Sequence, residues 1–325
     1  MQRPLKIAAV QACPVYMDRD ATVAKACDLI AQVGAAGGAL AVFPEAFIPG
    51  YPIWSWFIPA GQTHPLRAMY AELVANAVTV PSAATDRLCQ AAKKAGVTVA
   101  IGINELNAEA SGTTVYNTLL FVGADGAILG EHRKLIPTGG ERLVWAWGDG
   151  SDLAVYPTPV GRVSGLICWE NYMPLARYAL SAWGAEILAA PTWDRGEPWL
   201  STMRHSAKET RCYVVGCCSA MRKDDVPDRF AFKKDFMAGV DGWINPGDSV
   251  IVNPDGKVIA GPAREQETIL YADVDPAMIS GPRGQLDVAG HYARPDVFEL
   301  IVHRRPRPLL TIVTDAQESD SDNVL

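Results

Sequence analysis

GLICWENYMP, residues 165–174, carries an apolar run up to a cysteine and sets Trp, Glu and Asn directly after it. The run before Cys168, Val163-Ser164-Gly165-Leu166-Ile167, reads as a strand in the interior of a sheet. Pro174 suits the first turn of a helix continuing through Ala176, Ala179 and Leu180. The thiol would then stand at the carboxyl edge of a strand and face a helix start. Backbone N–H groups and the helix dipole favour a thiolate there. Burial in a core is nevertheless the commoner fate of a cysteine in such a run. Position alone leaves both readings open.

The same pattern recurs along the chain. Short apolar runs bounded by turn residues predict strands at 6–11, 39–44, 97–103, 118–122 and 161–167, then at 186–190, 213–217, 249–253 and 268–274. Helical patterns lie between many of them, at 20–33, 65–78, 83–95, 175–183 and 200–211. Turns containing Asp-Gly, GADG at 123–126 and NPDG at 253–256, predict antiparallel hairpins. Alternating helices and strands give a layered α/β protein, and the hairpins make its sheets mixed. No Pro-, Gly- or Ser-rich linker divides the chain and no repeat is present, so residues 1–310 read as a single domain. The stretch 222–247 reads as a long surface excursion. The acidic end, 311–325, reads as a disordered tail.

Composition narrows the function. Of 325 residues 49 % are hydrophobic and 20 % charged, enough for a substantial core without disulfide or metal. The net charge of −7 argues against a nucleic-acid or anionic-membrane partner, and HRRPRP at 303–308 is too short to make a basic stripe. No apolar run reaches the ~20 residues of a membrane helix, and the N-terminus lacks a signal-peptide pattern. Seven irregularly spaced cysteines without a Cys-x-x-Cys pair point to reduced thiols in the cytoplasm, with no metal site and no cofactor expected.

Two further strand ends bear on Cys168. In ALAVFPEAFIPGYP, a predicted strand delivers Glu45 into a loop of Pro, Gly and aromatics. A carboxylate there is costly unless solvated, paired or functional. In GEHRKLIPTGGERLVW, Lys134 and Glu141 flank a Pro-Thr-Gly-Gly turn. Each alone reads as a surface charge, and Glu141 with Arg142 as a helix-start pair. Together, strand ends carrying Glu, Lys and Cys form a possible base, cation and thiol.

FPEAF, HRKLIPTGGER and GLICWEN, in that order, resemble the Glu-Lys-Cys signature of the nitrilase superfamily. The resemblance extends from Lys6 to about Leu309. It implies a four-layer α-β-β-α sandwich with two mixed sheets. The Trp-Glu pair after Cys168, with WGDG at 147–150, AAPTW at 189–193 and GHYARPDVF at 290–298, resembles the nitrile-hydrolysing branch. PGDS at 246–249 departs from the Gly-Gly-Ser turn usual in that family, leaving the geometry of this strand entry open.

The resemblance implies hydrolysis of an organic nitrile to carboxylic acid and ammonia through a thioimidate and then a thioester. Cys168 is the implied nucleophile, Glu45 the base, Lys134 the fixed cation and Glu141 its orienting partner. The backbone N–H of Trp169 is a candidate second donor. Aromatic residues near these strand ends, Trp169, Trp193, Tyr51 and Trp54, are candidates for an apolar substrate pocket, with Trp56 beside them. His205 and His291 are placed as packing or pocket-lining groups rather than as a Cys-His base. Alternatives within the superfamily are a cyanide-hydrolysing enzyme and an amidase or carbamoylase. A non-catalytic self-assembling scaffold conflicts with the presence of all three residues. The resemblance also implies dimers and spiral oligomers.

Overall fold

The structure, a computed structural model, describes residues 5–108 and 111–306. The predicted tail at 311–325 lies outside them. The strands are β1 (Leu5–Gln11), β2 (Gly38–Val42), β3 (Thr98–Leu106), β4 (Val115–Val122), β5 (Ile128–Arg133), β6 (Trp145–Ala146) and β7 (Tyr156–Thr158). There follow β8 (Gly161–Gly165), β9 (Ile187–Thr192), β10 (Tyr213–Cys218), β11 (Ala220–Arg222), β12 (Trp243–Val252), β13 (Val258–Arg264) and β14 (Thr268–Val274). The helices are α1 (Arg19–Ala35), α2 (Trp54–Phe57), α3 (Thr63–Asn76), α4 (Ala83–Ala95), α5 (Pro174–Ala182), α6 (Glu197–Thr210), α7 (Ala231–Phe236) and α8 (Ser280–Gln285).

Two mixed sheets form the centre. One has the order β14-β1-β2-β3-β4-β5 with β6 on β4, and the other β11-β12-β10-β9-β8-β7 with β13 on β12. In the first, β1, β2 and β3 run parallel, β6 lies parallel to β4, and the other pairs are antiparallel; in the second, β8, β9 and β10 are the parallel set. Side chains alternate along each strand between two buried layers. In β1, Ile7 and Ala9 enter the layer between the sheets, while Ala8 and Val10 face α1 and α4. In the second sheet Val163, Ile187, Ala189 and Val215 fill the inter-sheet layer, and Leu188, Ala190 and Val214 meet α5 and α6. Burial of both faces is why these strands read as unbroken apolar runs. The result is the α-β-β-α sandwich.

Both hairpins form at the Asp-Gly turns, joining β4 to β5 and β12 to β13. The stretch 222–247 differs from the surface excursion expected. It holds a 3-10 turn, α7 and the start of β12, and it buries Phe230, Phe232 and Met237 against Tyr16, Trp54 and Met221. Its aromatic residues alternate with charge, so its apolar face has no helical or strand period a sequence window could detect.

Candidate active site

Three strand ends converge. Glu45 follows β2, Lys134 follows β5, and Cys168 opens a 3-10 turn, Cys168–Tyr172, just beyond β8. The backbone is left-handed at Cys168 (φ 52°) and at Ala46 (φ 50°), a strained conformation for residues with a Cβ. Sharp turns present both functional side chains at the sheet edge. The Glu45 turn lies so close over β3 that a Cβ on Gly102 would come within 2.3 Å of the Pro44 carbonyl oxygen.

Glu45, Lys134, Glu141 and Cys168 are all buried. Lys134 Nζ donates to Glu45 Oε1 and to Glu141 Oε2, each at 2.7 Å. Glu45 Oε1 also accepts from Asn117 Nδ2 at 2.8 Å, and Oε2 from the Trp193 N–H at 2.7 Å. Glu141 accepts the Thr138 N–H and the Tyr51 hydroxyl, both at 2.7 Å. It therefore serves as the helix-start carboxylate of the turn Gly139–Leu143 and as a lysine partner at once. The Thr192 hydroxyl donates to Cys168 Sγ at 3.2 Å. A buried cation is tolerable only with this much compensation.

The electrostatics follow. Burial and the neighbouring Glu141 raise the Glu45 pKa against the pull of Lys134. Burial opposes the charge on Lys134, but Glu45 and Glu141 outweigh it and hold the ammonium protonated. Burial, then the Glu45 carboxylate, push the Cys168 thiol up, while Lys134 and Thr192 lower it. The resting thiol thus holds its proton tightly beside Glu45, whose own pKa is also raised. The arrangement suits proton transfer to Glu45 in step with attack by sulfur, after which Lys134, still held by Glu141, is released from one of its two carboxylates to face the developing anion.

A second buried network ties two of these strand ends together. Glu170 accepts the N–H groups of Ile167, at 2.7 Å, and Leu135, at 2.8 Å, the residues adjoining Cys168 and Lys134. His132 lies between Glu170 and Asp152, 3.0 Å from each carboxylate. Burial opposes its charge, but Glu170 and Asp152 raise its pKa to about 10. Both ring nitrogens are occupied, so His132 is not a free base. The sequence reading used Glu170 only as a branch marker and gave His132 no role. Asn117 and Thr192 were missed too. A polar residue inside an apolar strand, as in VYNTLLFV, was the available signal, because buried polar groups need partners.

A cavity of about 350 Å³ opens onto Cys168, walled by Tyr51, Trp56, Phe57, Trp169, Trp193 and Ile244. Trp193 stacks on Tyr51 with ring centres 4.5 Å apart. Trp169 Nε1 donates to Asp194 Oδ2 at 2.9 Å. Three residues considered for the pocket, Trp54, His205 and His291, lie elsewhere. Trp54 is buried among Tyr16, Phe230 and Phe232, and Trp56 takes the cavity position. Two residues apart on one helical turn, they point to different sides. His205 is exposed on α6 and faces Glu209 at 3.8 Å, off the stripe through Trp199, Met203 and Ala207 that packs on the sheet. His291 is exposed beside Tyr292.

The family model described as carbon-nitrogen hydrolase matches residues 6–283. The chain belongs to the carbon-nitrogen hydrolase family. It is 44 % identical over 304 residues to an aliphatic nitrilase of Sinorhizobium fredii (strain HH103), covering 93 % of this chain and 96 % of that one. It is 39 % identical to nitrilase 1 of Arabidopsis thaliana, over 98 % of this chain and 92 % of the relative. Among solved structures, a nitrilase-superfamily member of Saccharomyces cerevisiae matches with a TM-score of 0.68 at 22 % identity, over 90 % of this chain and 97 % of that one. That likeness bears on the fold. Among the described residues no group of His, Cys, Asp and Glu could hold a metal ion, and no helix is long and apolar enough to cross a membrane.

Proposed function

We propose that this carbon-nitrogen hydrolase converts an organic nitrile and two waters to a carboxylic acid and ammonia, with Cys168 as nucleophile. The observation that carries the assignment is the buried Glu45–Lys134–Glu141 set facing the Cys168 thiol at the floor of an aromatic cavity. Sulfur adds to the nitrile carbon, and the thiol proton passes through Glu45 to the nitrogen, giving a thioimidate. Lys134 and the Trp169 N–H stabilise charge developing on nitrogen. Glu45 then takes a proton from an attacking water. The tetrahedral intermediate expels ammonia and leaves a thioester, which a second water cleaves. If the intermediate expels the thiol first, the product is the amide. The cavity suits an apolar, arylalkyl-sized R group.

Exposed Leu175, Tyr292, Val297 and Phe298 gather between α5 and the segment 286–300. Apolar residues exposed together favour self-association, and we assign the active form to a homo-oligomer. Seven cysteines, all free, fit a reducing cytoplasm.

The test is ammonia release from aromatic, arylacetic and aliphatic nitriles, cyanide and matching amides, with Cys168→Ala alongside. Nitrile turnover abolished by the substitution is expected. Turnover of cyanide or amides alone would move the chain to a neighbouring activity, and persistence of nitrile turnover in Cys168→Ala would remove the nucleophile.

A further inference from the structure

The departure at PGDS acquires a structural account. Along β12 and β13, Gly247 pairs with Arg264 and Ser249 with Ala263, so Asp248 is the extra residue of a β-bulge. A bulge re-aims a side chain, and here it turns the carboxylate fully inward. Asp248 has φ 102°, a conformation that favours glycine, yet it carries a buried charge. Arg264 Nε and Nη2 meet Oδ1 and Oδ2 at 2.9 and 2.8 Å. Oδ2 also accepts the Gly196 N–H at 2.7 Å.

Gly196 ends the segment linking β9 to α6, and that segment forms one wall of the site. Within it the Trp193 N–H holds Glu45, the Trp193 ring stacks on Tyr51, and Asp194 accepts from Trp169. The start of β12 grips it again through Asn245 Nδ2, which donates to the Trp193 carbonyl at 2.8 Å. Strain at a non-glycine residue persists only where its surroundings enforce it. A staple for the β12–β13 hairpin would need Arg264 alone; the bond to Gly196 leads from the hairpin to the cavity wall.

We propose that Asp248 is a positioning residue that, by tethering Gly196, holds residues 193–195 in register with Glu45 and the substrate. It rests on the roles given above to Glu45 and the cavity. Without the tether, Trp193 moves relative to both its carboxylate and its ring partner. Misplacement of that kind costs about 10–100-fold in rate.

The experiment compares Asp248→Gly, which accommodates φ 102°, with Asp248→Asn, which keeps an oxygen for the Gly196 N–H. Amide hydrogen exchange, thermal midpoint and separate kcat and KM values are measured for a bulky arylalkyl and a small aliphatic nitrile. The glycine variant is expected to exchange faster at 193–196 while its thermal midpoint holds. Its kcat should fall for both nitriles, its KM should rise only for the bulky one, and the asparagine variant should recover most of the loss. Unchanged exchange at 193–196 overturns the proposal. So does a loss in which β12 and β13 loosen together, the midpoint drops and asparagine gives no rescue, since that is a hairpin staple. If the unaltered chain turns over no nitrile, the nitrile assignment fails, and exchange at 193–196 still decides the tether.

Discussion

Glu45, the proposed base, has its carboxylate held by a cation, an amide and a backbone N–H at once. Glu45→Gln keeps the shape and removes the base. Turnover should fall about 10²–10⁴-fold in a protein that still folds, as seen by steady-state kinetics beside circular dichroism. Since burial raises the Glu45 pKa, the base is lost to protonation above the ordinary carboxylate range. The acid limb of kcat/KM should therefore lie above 4.5, the value for an ordinary Glu. Lys134→Ala should differ in kind. It leaves Glu45 and Glu141 buried without their cation, a loss of about 3–5 kcal/mol in stability as well as activity, measurable by denaturant titration.

At the level of elements, α2 separates two tryptophans that the sequence reading could not rank. Trp54→Ala opens the packed cluster around Tyr16 and Phe232 and should cost about 3–5 kcal/mol, with KM little changed. Trp56→Ala should alter KM and substrate preference with a smaller stability loss. Equal effects of the two on KM would contradict the placement. The end of β5 and the turn after β8 share a pH-dependent link. His132 has its pKa raised from 6.5 to about 10, so its contribution to stability is complete below about 6.5 and fades as pH rises toward 10. Glu170 has its pKa lowered, chiefly by His132 against the opposing effect of burial, so its contribution is lost on acidification below about 4.5. Stability should fall between pH 6.5 and 10, and His132→Gln should flatten that limb. A wild-type profile flat across this window would mean His132 is neutral in the fold.

For the whole molecule, the apolar patch around Leu175 and Phe298 is the feature a monomer explains least. Leu175→Asp with Phe298→Asp should shift sedimentation toward smaller species. An unchanged distribution would place any interface elsewhere. The layered α/β class was legible in the chain because both faces of each sheet are buried, and an apolar strand run announces that locally; the two-sheet sandwich was implied only by the resemblance of the three motifs to the nitrilase superfamily. Helix 83–95 was legible too: Ser82 caps it and Gly96 closes it in the left-handed conformation. The packing of 222–247 over Trp54 was not, since Phe230, Phe232 and Met237 find Tyr16 and Trp54 near the opposite end of the chain.

The sequence by itself determined the layered α/β class, most strands and helices, and three strand ends bearing Glu45, Lys134 and Cys168, because period, turn residues and motifs are local properties. Tertiary structure alone decided how charge is shared at the site. Lys134 takes both Glu45 and Glu141, Glu170 joins the neighbours of Lys134 and Cys168, and Asp248 reaches Gly196 across a bulge. It also turned Trp56 toward the cavity and left His205 in solvent. Hydrogen bonds and ion pairs act over a few ångströms in space, and only the folded chain brings residues so far apart in sequence within that range.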